Sequence, residues 1–419
     1  MPDPQTQGQP LDPRRILLII PYGGVGGMER LALNLYRHYK SLGDTVKVIK
    51  LVRLPGDIVN FGDDEIALSE RDLVEMPAVA RLGFYLSIPF SIARIVCRHG
   101  ITHSIAFGDM ANLFSSLSWS REFKVASIHS MKSMELASPA LLNRFFRFAY
   151  RTSYSRFGRV VCISRAIRDD LVTKCGYGFQ RNLKVIYNPH DVDEIQELAK
   201  EPLSDVEQQL FSAKSIVFLG RITGAKALWH LVNAFQSLLE RDIRARLIVL
   251  GDGDSEITRY VESLVDAYDI RSSVSFLGRQ SNPYKYLAHA DVLALSSHFE
   301  GTPNVIVEAI ALGVPVVSSL CTDGILELMS TVSPPLSPPP IELDAGIVTP
   351  SLYEGQLGIP KTMRRASGEA ALTDALQAVL LDSKYRERLV GKREALLRKF
   401  DLAASARAYL AATYGVDRR

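Results

Sequence analysis

The sequence predicts an α/β protein made of two consecutive Rossmann-like domains, and three observations lead to this class. The chain has 419 residues, a length that suits two or three domains. A strand–helix–strand pattern over 15–52 favours a parallel sheet. A second α/β series begins at 215. We expect the domains to cover 14–195 and 205–390, with a linker near 191–205.

The first series opens with a continuous apolar run at 16–20, which is typical of a strand buried on both faces. After a glycine-rich loop, an apolar stripe predicts a helix over 28–42 with Gly43 as its C-cap. The stripe consists of Leu31, Leu35, Tyr39 and Leu42. Further strands are predicted at 45–52, 124–128 and 160–163.

The second series repeats the pattern. Residues 331–340 are rich in proline and cannot form a helix or a central strand, so we expect a surface insertion there. Residues 391–419 should form the closing helices, and the polar residues 1–13 a disordered tail. Strands are predicted at 215–220, 246–250, 274–277, 291–296 and 315–319, and helices at 227–239, 304–312, 368–381, 383–400 and 403–414.

Composition excludes several classes of protein. Hydrophobic residues make up 47% and charged residues 23% of the chain, as in a globular protein, and the net charge of +3 gives no reason to expect nucleic acid. The four cysteines form no CxxC pair, which predicts thiols in a reducing compartment and no zinc site. The start does not resemble a signal peptide. The uncharged stretch 82–93 is too short to span a bilayer and contains Pro89, so a cytoplasmic location is predicted.

Ligands of doubly wound sheets bind outside the carboxyl ends of the strands, so the loops there are the candidate sites. The first loop contains Gly24, Gly26 and Gly27 before a helix, which suits either a bound phosphate or a tight turn. No Gly-Lys-Ser/Thr follows, and the next strand ends at 50–53 without a carboxylate. The loop is therefore neither a Walker A loop nor a dinucleotide fingerprint.

Two loops of the second series combine charge with a helix N-terminus. Arg221 and Lys226 flank the start of one helix and suit a diphosphate, although two solvated surface cations would look the same. In the other loop, Glu300 precedes Thr302, a candidate helix cap, and Pro303, a candidate first helical residue. Glu308 lies among apolar residues, so it needs a partner or a ligand hydroxyl unless that helix face is exposed.

Three further features allow two readings each. His129 follows a predicted strand and is either structural or functional. The pairs Asp191/Asp193 and Asp252/Asp254 could hold a divalent cation, but turn chemistry explains them equally well, so no metal is predicted. Residues 144–159 contain five arginines, six aromatics and no acid, which suits either an anionic membrane surface or a packed helix with solvated arginines.

Taken together, these segments resemble the retaining GT-B glycosyltransferases of glycosyltransferase family 4, over roughly 15–350. Any one of these segments alone is weak, whereas the pair Glu300 and Glu308 in this context is specific. The matching segments, in family order, are Gly24-Val25-Gly26-Gly27-Met28-Glu29, Cys162-Ile163-Ser164, Val185-Ile186-Tyr187-Asn188-Pro189, Phe218-Leu219-Gly220-Arg221 with Lys226, Gly251-Asp252-Gly253, Phe276-Leu277-Gly278, Glu300-Gly301-Thr302-Pro303-Asn304 with Glu308-Ala309, and Gly313-Val314-Pro315-Val316-Val317.

The resemblance implies two facing Rossmann-like domains with a cleft between them, the first binding the acceptor and the second the sugar nucleotide. The last helix of the family usually packs back on the N-terminal domain. Arg221 and Lys226 would hold the diphosphate, Glu308 the ribose hydroxyls, and Glu300 the donor sugar, with His129 close to that sugar. Donor binding would also involve the backbone of Gly301, Thr302, Pro303, Asn304 and Val305.

The implied activity is transfer of a sugar from a nucleotide-diphosphate sugar to an acceptor hydroxyl with retention of anomeric configuration, without a metal or other cofactor. A UDP-sugar is expected rather than a GDP-sugar. The segment Cys321-Thr322-Asp323-Gly324 looks like one in members that build bacterial surface polysaccharides, so we expect a lipid-linked or saccharide acceptor and a protein peripheral on the cytoplasmic face of the membrane.

The chain departs from the family pattern at two places. Ala227 stands where glycine often follows the lysine, and Thr322-Asp323 stands where Gly-Gly is common. The first departure bears on loop geometry and the second on donor or acceptor contacts. Two other classes with this architecture stay open, a nucleotide-sugar epimerase and a non-catalytic binding protein. A phosphorylase is disfavoured because no lysine motif for pyridoxal phosphate is present.

Overall fold

The computed structural model describes residues 13–24, 27–136, 141–332, 337–355, 357–360 and 366–411. The chain divides into two compact units. The first contains the residues up to Pro189 together with those from Asp401 onward, and the second runs from His190 to Phe400. Each unit is built around its own seven-stranded sheet, so the two α/β series of the sequence correspond to two separate hydrophobic cores.

The sheet of the first unit has the order β3-β2-β1-β4-β5-β6-β7, and all of its neighbouring strands are parallel. The order reverses between β1 and β4, as in a doubly wound fold. The strands are β1 Arg15–Ile20, β2 Thr45–Lys50, β3 Glu65–Ala67, β4 His103–Phe107, β5 Phe123–Ile128, β6 Arg159–Cys162 and β7 Leu183–Val185. The helices are α1 Gly27–Ser41, α2 Ala78–His99, α3 Gly108–Leu117, α4 Lys132–Glu135, α5 Leu141–Arg151 and α6 Arg165–Thr173.

The second unit repeats this order as β10-β9-β8-β11-β12-β14-β13, with only the β13–β14 pair antiparallel. Its strands are β8 Lys214–Leu219, β9 Ala245–Leu250, β10 Val274–Gly278, β11 Val292–Leu295, β12 Val316–Ser319, β13 Ile341–Leu343 and β14 Gly346–Thr349. Its helices are α7 Val192–Leu198, α8 Asp205–Gln208, α9 Leu228–Leu239, α10 Ser255–Ala267, α11 Tyr284–Leu287, α12 Asn304–Ala311, α13 Asp323–Met329, α14 Glu369–Leu381 and α15 Lys384–Leu397.

The chain returns to the first unit through α16, Leu402–Leu410. This helix packs beside α1, where the hydroxyl of Tyr39 donates a hydrogen bond of 2.9 Å to the carbonyl of Ala406. The hydroxyls of Tyr409 and Ser127 lie 3.0 Å apart, which ties the same helix to β5. One face of the first sheet is therefore covered by α1 and α16.

The opposite face of the first sheet is covered by α2, α3 and α5. Ala106 belongs to the apolar cluster that includes Ile88 and Ile92 of α2, and Ala126 to the cluster that includes Phe146 of α5. Ala106 and Ala126 are register partners in adjacent parallel strands, so their side chains point to the same face.

Three expectations about boundaries need correction. The predicted linker 191–205 is not a linker, because α7 starts at Val192 and buries Ile195 against Tyr284 and Ala311 in the second unit. Leu42 is 56% exposed because α1 ends at Ser41, before it. The stretch at 82–93 belongs to a 22-residue helix that continues through Pro89. Of the predicted proline-rich insertion, 333–336 lie outside the described residues, as do 1–12 of the predicted tail.

Candidate functional site

The second sheet reverses its strand order between β8 and β11, so the loops after these two strands are neighbours at the carboxyl edge. This is the position at which doubly wound sheets bind ligands. The loop after β8 contains Arg221 and Lys226, and the loop after β11 contains Glu300. Backbone bonding joins the two loops, since the amide of His298 donates to the carbonyl of Ala225 over 2.8 Å.

Lys226 and Glu300 form an ion pair between the two loops. Their side chains are 21% and 15% exposed, so both are only partly removed from water. The hydroxyl of Ser297 donates to the same carboxylate over 2.9 Å. Arg221 is exposed, and no other described residue is a hydrogen-bond or ion-pair partner of its side chain. The loops therefore carry two cations and one carboxylate.

The turn before α9 places Ala227 in the left-handed region, with φ of 45° and ψ of 48°. Glycine is favoured in this conformation because it has no Cβ. The hydroxyl of Ser296 donates to the carbonyls of Lys226 and Ala227 over 3.2 and 3.1 Å, which holds the turn. Ala227, which stands where the family often has glycine, thus adopts the left-handed conformation that glycine favours.

The loop after β9 lies directly against the loop after β8. A Cβ at Gly251 or Gly253 would overlap the carbonyl oxygens of Gly220 and Ile222, so both positions require glycine. The amide of Ile222 donates to the carbonyl of Asp252 over 2.8 Å. The backbone of the candidate diphosphate loop therefore packs directly against these two glycines.

Each Asp-x-Asp segment includes a helix cap. The carboxylate of Asp254 accepts from the amides of Glu256 and Ile257 at the start of α10. The carboxylate of Asp191 does the same for the amide of Glu194 in α7. Within the described part of the chain, no three His, Cys, Asp or Glu side chains lie together as metal ligands.

The helix after Glu300 begins at Asn304, as predicted, but its cap differs from the expected one. Pro303 is the N-cap of α12 and Asn304 its first residue, so Thr302 does not cap the helix as we expected. The Oγ1 atom of Thr302 is buried, and no described residue is its hydrogen-bond partner. Gly301 and Thr302 lie in the loop, and Val305 is buried in the first turn.

Glu308 is buried, with 4% of its surface exposed, so the alternative of a solvated helix face is wrong. The hydroxyl of Tyr284 donates to its Oε1 atom over 3.4 Å. Tyr284 is itself 9% exposed. A buried carboxylate therefore lies one helix turn beyond the loop of Glu300.

A chain of three buried polar side chains, absent from the sequence analysis, supports the loop of Glu300. Nδ1 of His230 lies 2.6 Å from Oε1 of Glu369, and Nε2 of His230 lies 2.9 Å from Nε2 of His298. Burial, and then the neighbouring His230, lowers the pKa of His298 to about 4. A histidine inside the apolar helix 228–239 was the one available sequence signal for this chain.

Cys321 follows β12, and the hydroxyl of Ser319 at the end of that strand donates to the carbonyl of Ser297 in the loop of Glu300 over 2.7 Å. Burial, and secondarily Glu300, raises the pKa of the Cys321 thiol. Thr322 is the N-cap of α13, and its hydroxyl accepts from the amide of Gly324 over 3.3 Å. The segment 321–324 therefore contributes a helix start beside the loop of Glu300.

His129 belongs to the first unit and follows β5. Burial, and then the charge of Lys132, lowers its pKa to about 3, so the imidazole is neutral near pH 7. Its Nε2 atom is buried, and no described residue is its hydrogen-bond partner. Lys132 nearby is fully committed, with Nζ at 2.9 Å from Asp109 and 2.7 Å from Glu135. His129 thus retains an unused hydrogen-bonding atom beside a saturated ion cluster.

The glycine loop of the first unit is only partly described. Gly23 is tightly enclosed, because a Cβ there would overlap Asp57 and Lys50. Lys50 is buried and pairs with Asp57 and Glu65 at 3.0 and 3.1 Å, a cluster that the sequence analysis missed. Gly24 has open space around it, and Gly27 is the first residue of α1. Gly26 lies outside the described residues.

The arginine-rich stretch 144–159 divides into two parts. In α5, Arg144, Arg147 and Arg151 are exposed, and Arg147 also donates to the carbonyl of Leu136 over 2.8 Å. Phe145 and Phe148 of the same helix are 62% and 66% exposed, whereas Phe146 and Tyr150 face the core. Beyond α5, Arg156 and Arg159 donate to the carbonyls of Ser116 and Ala408, so these two arginines stabilise the fold.

Comparison with known proteins places both halves of the chain in related families. Residues 25–194 match the family described as Glycosyltransferase Family 4, and residues 213–338 match the family described as Glycosyl transferases group 1. An uncharacterized glycosyltransferase of Methanocaldococcus jannaschii is 29% identical over 198 residues, which is 47% of this chain and 48% of that protein.

A second relative has an assigned activity. The Campylobacter jejuni N-acetylgalactosamine-N,N'-diacetylbacillosaminyl-diphospho-undecaprenol 4-alpha-N-acetylgalactosaminyltransferase is 28% identical over 177 residues, 42% of this chain and 44% of that enzyme. The chain thus spans less than half the length of these two relatives. Among solved structures, Anabaena HepE in complex with UDP and glucose has a TM-score of 0.68 at 16% identity, covering 94% of this chain and 98% of that one. This likeness shows the fold.

Proposed function

Because the chain belongs to the group 1 and family 4 glycosyltransferases and has their two-domain GT-B fold, we propose that it transfers a sugar from a nucleotide-diphosphate sugar to an acceptor hydroxyl with retention of configuration. The observation that carries the proposal is the contact between Lys226 and Glu300, with Arg221 exposed on the same loop. These three residues lie at the switch point of the second sheet, where a donor is expected.

The two cations suit the leaving diphosphate. Breaking the bond from the sugar to the diphosphate develops negative charge on the phosphate oxygens, and fixed cations stabilise that charge. Arg221 offers a planar fork of N–H donors, while Lys226 contributes a compact charge. The two loops contain two cations and one carboxylate, so their net charge is positive. A positive net charge suits the binding of a diphosphate.

The two carboxylates have different roles in this proposal. Glu308, buried beside Tyr284, accepts hydrogen bonds from the ribose hydroxyls. Glu300, held by Ser297 and Lys226 at the loop surface, accepts from hydroxyls of the donor sugar and stabilises positive character at its anomeric carbon. When phosphate oxygens approach Lys226, they compete with Glu300 for it, which increases the capacity of Glu300 to bind sugar hydroxyls.

The acceptor hydroxyl attacks on the leaving-group face, and its proton passes to the departing phosphate. His129 is neutral near pH 7 and has an unused ring nitrogen, so it contributes a hydrogen bond to the sugar rather than a charge. No resident cofactor is needed for these steps, because Arg221 and Lys226 supply the charge that a metal ion supplies in other enzymes.

We further propose a UDP-sugar donor and a lipid-linked or saccharide acceptor, used in bacterial glycan synthesis on the cytoplasmic face of the membrane. The Anabaena structure with UDP supports the donor. The Campylobacter relative, whose name specifies a diphospho-undecaprenol acceptor, supports the lipid carrier. The exposed arginines and phenylalanines of α5 fit an anionic surface near the acceptor-binding unit.

The test is release of nucleotide from a panel of UDP- and GDP-sugars, with and without polyprenyl-diphosphate and saccharide acceptors. Acceptor-dependent release with one donor, and a product whose anomeric configuration matches that donor by NMR, is the expected result. Interconversion of sugars without acceptor would instead identify an epimerase, and nucleotide binding without any turnover would identify a binding protein. Activity should be unchanged by EDTA, whereas loss that Mn²⁺ or Mg²⁺ restores would contradict the metal-independent mechanism.

A further inference from the structure

Helix α2 presents apolar residues on two opposite sides. Towards the sheet it buries Ile88, Ile92 and Val96. Its outer side carries a second apolar stripe, formed by Val79, Leu82, Leu86 and Phe90, which are 85%, 58%, 65% and 65% exposed. The spacings of three and four residues place these side chains along one line of the helix. A surface helix of a globular protein normally turns a polar face to water, so the outer stripe of α2 needs an explanation.

The length and composition of α2 would suit a membrane span, but its packing does not. The helix has 22 residues and is apolar enough to cross a bilayer, with 17% of its most apolar window buried in the protein. One side is nevertheless anchored on the first sheet through Ile88, Ile92 and Val96, next to Leu17 and Ile19 of β1. A helix held in this way can lie in a membrane surface but cannot cross the membrane without leaving its core.

The apolar stripe continues beyond the helix. Trp119, which follows α3, is 76% exposed and lies edge-on to Phe90 with ring centroids 6.3 Å apart. Since α2 and α5 cover the same face of the first sheet, their outer sides are turned the same way. Phe145 and Phe148 of α5 therefore extend the surface. We call it the α2–α5 face, consisting of Val79, Leu82, Leu86, Phe90, Trp119, Phe145 and Phe148.

The positive charge around the α2–α5 face indicates which kind of partner would bind it. Helix α2 contains no acidic residue, and its Arg94 and Arg98 are exposed, as is Arg121 close to Trp119. The outer side of α5 adds Arg144, Arg147 and Arg151. A second copy of the chain would bring arginines against arginines, so self-association is disfavoured. An apolar stripe bordered by cations fits an anionic bilayer, where apolar side chains enter the interface and guanidinium groups meet phosphate headgroups.

We propose that the α2–α5 face docks on an anionic lipid surface, with α2 lying in the plane of the interface and supplying most of the apolar contact. This extends the membrane role proposed for α5 to a longer helix, which contains the uncharged stretch 82–93. The inference adds a location to the proposed function, but it concerns binding alone and is measured without donor or acceptor.

The two tryptophans of the chain make a built-in probe. Trp119 is exposed on the proposed surface, while Trp229 is 1% exposed in the core of the second unit. Adding vesicles of phosphatidylcholine with phosphatidylglycerol should shift the Trp emission to the blue, and brominated lipids should quench it. The variant Trp119→Phe should lose both responses. Pure phosphatidylcholine or high salt should weaken them, because the arginines are then less attracted.

The decisive variant replaces Leu82, Leu86 and Phe90 with Gln. It should lower vesicle affinity at least about tenfold in flotation assays, since each buried apolar side chain contributes more than a factor of ten by itself at full burial. The matched control replaces Val206 and Leu381, which are 75% and 62% exposed in the second unit, with Gln and should bind like wild type. Circular dichroism and the melting temperature verify folding, and UDP affinity should be equal in all variants.

Three results would overturn the inference. The first is wild-type protein that ignores anionic vesicles at low salt, and the second is a triple variant that binds them as well as wild type does. The third is a wild-type dimer in sedimentation velocity that the triple variant dissociates while neither binds vesicles, which would make the face a contact between copies. If no donor in the panel gave acceptor-dependent nucleotide release while the protein still bound anionic vesicles, the proposed function would be refuted and the membrane inference would stand.

Discussion

The loops after β5 and β11 contain similar residues in different electrostatic settings. Each loop has a histidine within three residues of a member of a lysine–carboxylate cluster: Lys132 of the first loop pairs with Asp109 and Glu135, and Glu300 of the second pairs with Lys226 from the loop after β8. In the first unit Lys132 is 4% exposed and is shared by Asp109 and Glu135. In the second, Lys226 is 21% exposed and has one carboxylate partner, with Arg221 free to bind beside it. The first cluster is thus saturated and negative, and the second is accessible and positive.

The difference in burial and charge indicates which of the two clusters is the better candidate for binding a ligand. Burial raises the pKa of the Asp109 carboxyl, and the lysine that compensates it has no capacity left. Removal of Lys132 would leave the buried Asp109 carboxyl without its cation, which destabilises the fold. The side chains of Lys226 and Glu300 remain partly accessible to water. Each could therefore exchange its partner for a substrate group at a small cost in free energy.

The largest effect on stability is expected in the first cluster. Lys132→Met leaves Asp109 and Glu135 without their cation, and removing one partner of a buried pair costs about 3–5 kcal/mol. Urea unfolding followed by circular dichroism measures this loss. Lys226→Met, the matched change in the other cluster, should cost under about 1 kcal/mol because the pair is partly solvated. Equal losses in the two variants would remove the distinction between the clusters.

For turnover, the larger loss is expected in the cluster of Lys226 and Arg221, which is the less important of the two for stability. Arg221→Ala and Lys226→Ala should each lower kcat by about 10²–10³, since each removes charge stabilisation of the leaving diphosphate. The melting temperature of both variants should stay near wild type. Initial rates with the best donor of the panel measure the effect, with Arg241→Ala, an exposed arginine paired with Asp374 in the same unit, as the control. Near wild-type turnover in both variants would show that the assigned loops do not bind the diphosphate.

Within the second unit, the two carboxylates should separate binding from turnover. Glu308→Gln should weaken the affinity for free UDP by roughly 10–100-fold, the effect expected when hydrogen bonds to a charged acceptor are lost. Glu300→Gln should leave UDP affinity within a few-fold and act mainly on kcat. Isothermal titration with UDP and steady-state kinetics measure the two effects, and Tyr284→Phe controls for the contact on Glu308. The same loss of UDP affinity in both variants would contradict the division of roles.

The histidines should make the protein sensitive to acid. The pKa of His298 is lowered to about 4 by burial and by His230, and that of His129 to about 3 by burial and by Lys132, with Glu135 opposing. A histidine with a depressed pKa binds its proton in the unfolded state first, so stability falls as pH drops from about 6.5 towards these values and levels off below them.

Each histidine contributes at most about 1.4 kcal/mol per pH unit within its window. Urea unfolding at pH 7, 6, 5 and 4.5 measures the slope, and His298→Gln should make it smaller by removing one of the two titrations. His298 contacts His230 and, through it, Glu369, and the rings of Trp229 and Tyr353 also lie against it. An unchanged slope in His298→Gln would show that the chain of His298, His230 and Glu369 does not hold His298 neutral.

Much of the fold could be predicted from the sequence because apolar periodicity and glycine loops are local signals. The helix predicted at 304–312 lies at Asn304–Ala311, and the strand predicted at 215–220 lies at Lys214–Leu219. The candidate cations and carboxylates of the second unit could also be named, since they follow strand ends. The N-cap of α12 could not, because Thr302 and Pro303 both suit a helix start and only the packed loop places Pro303 at the N-cap.

The sequence by itself determined two α/β cores, the loops that hold charge, and the family to which these belong, because each depends on residue order within short segments. Tertiary structure decided the rest. Lys226 meets Glu300 across 74 residues, Glu308 is enclosed with Tyr284, and His230 joins His298 to Glu369. It also decided that α2 keeps its second apolar side exposed, since periodicity shows that a stripe is apolar, while only the packing of neighbouring elements shows which stripe they cover.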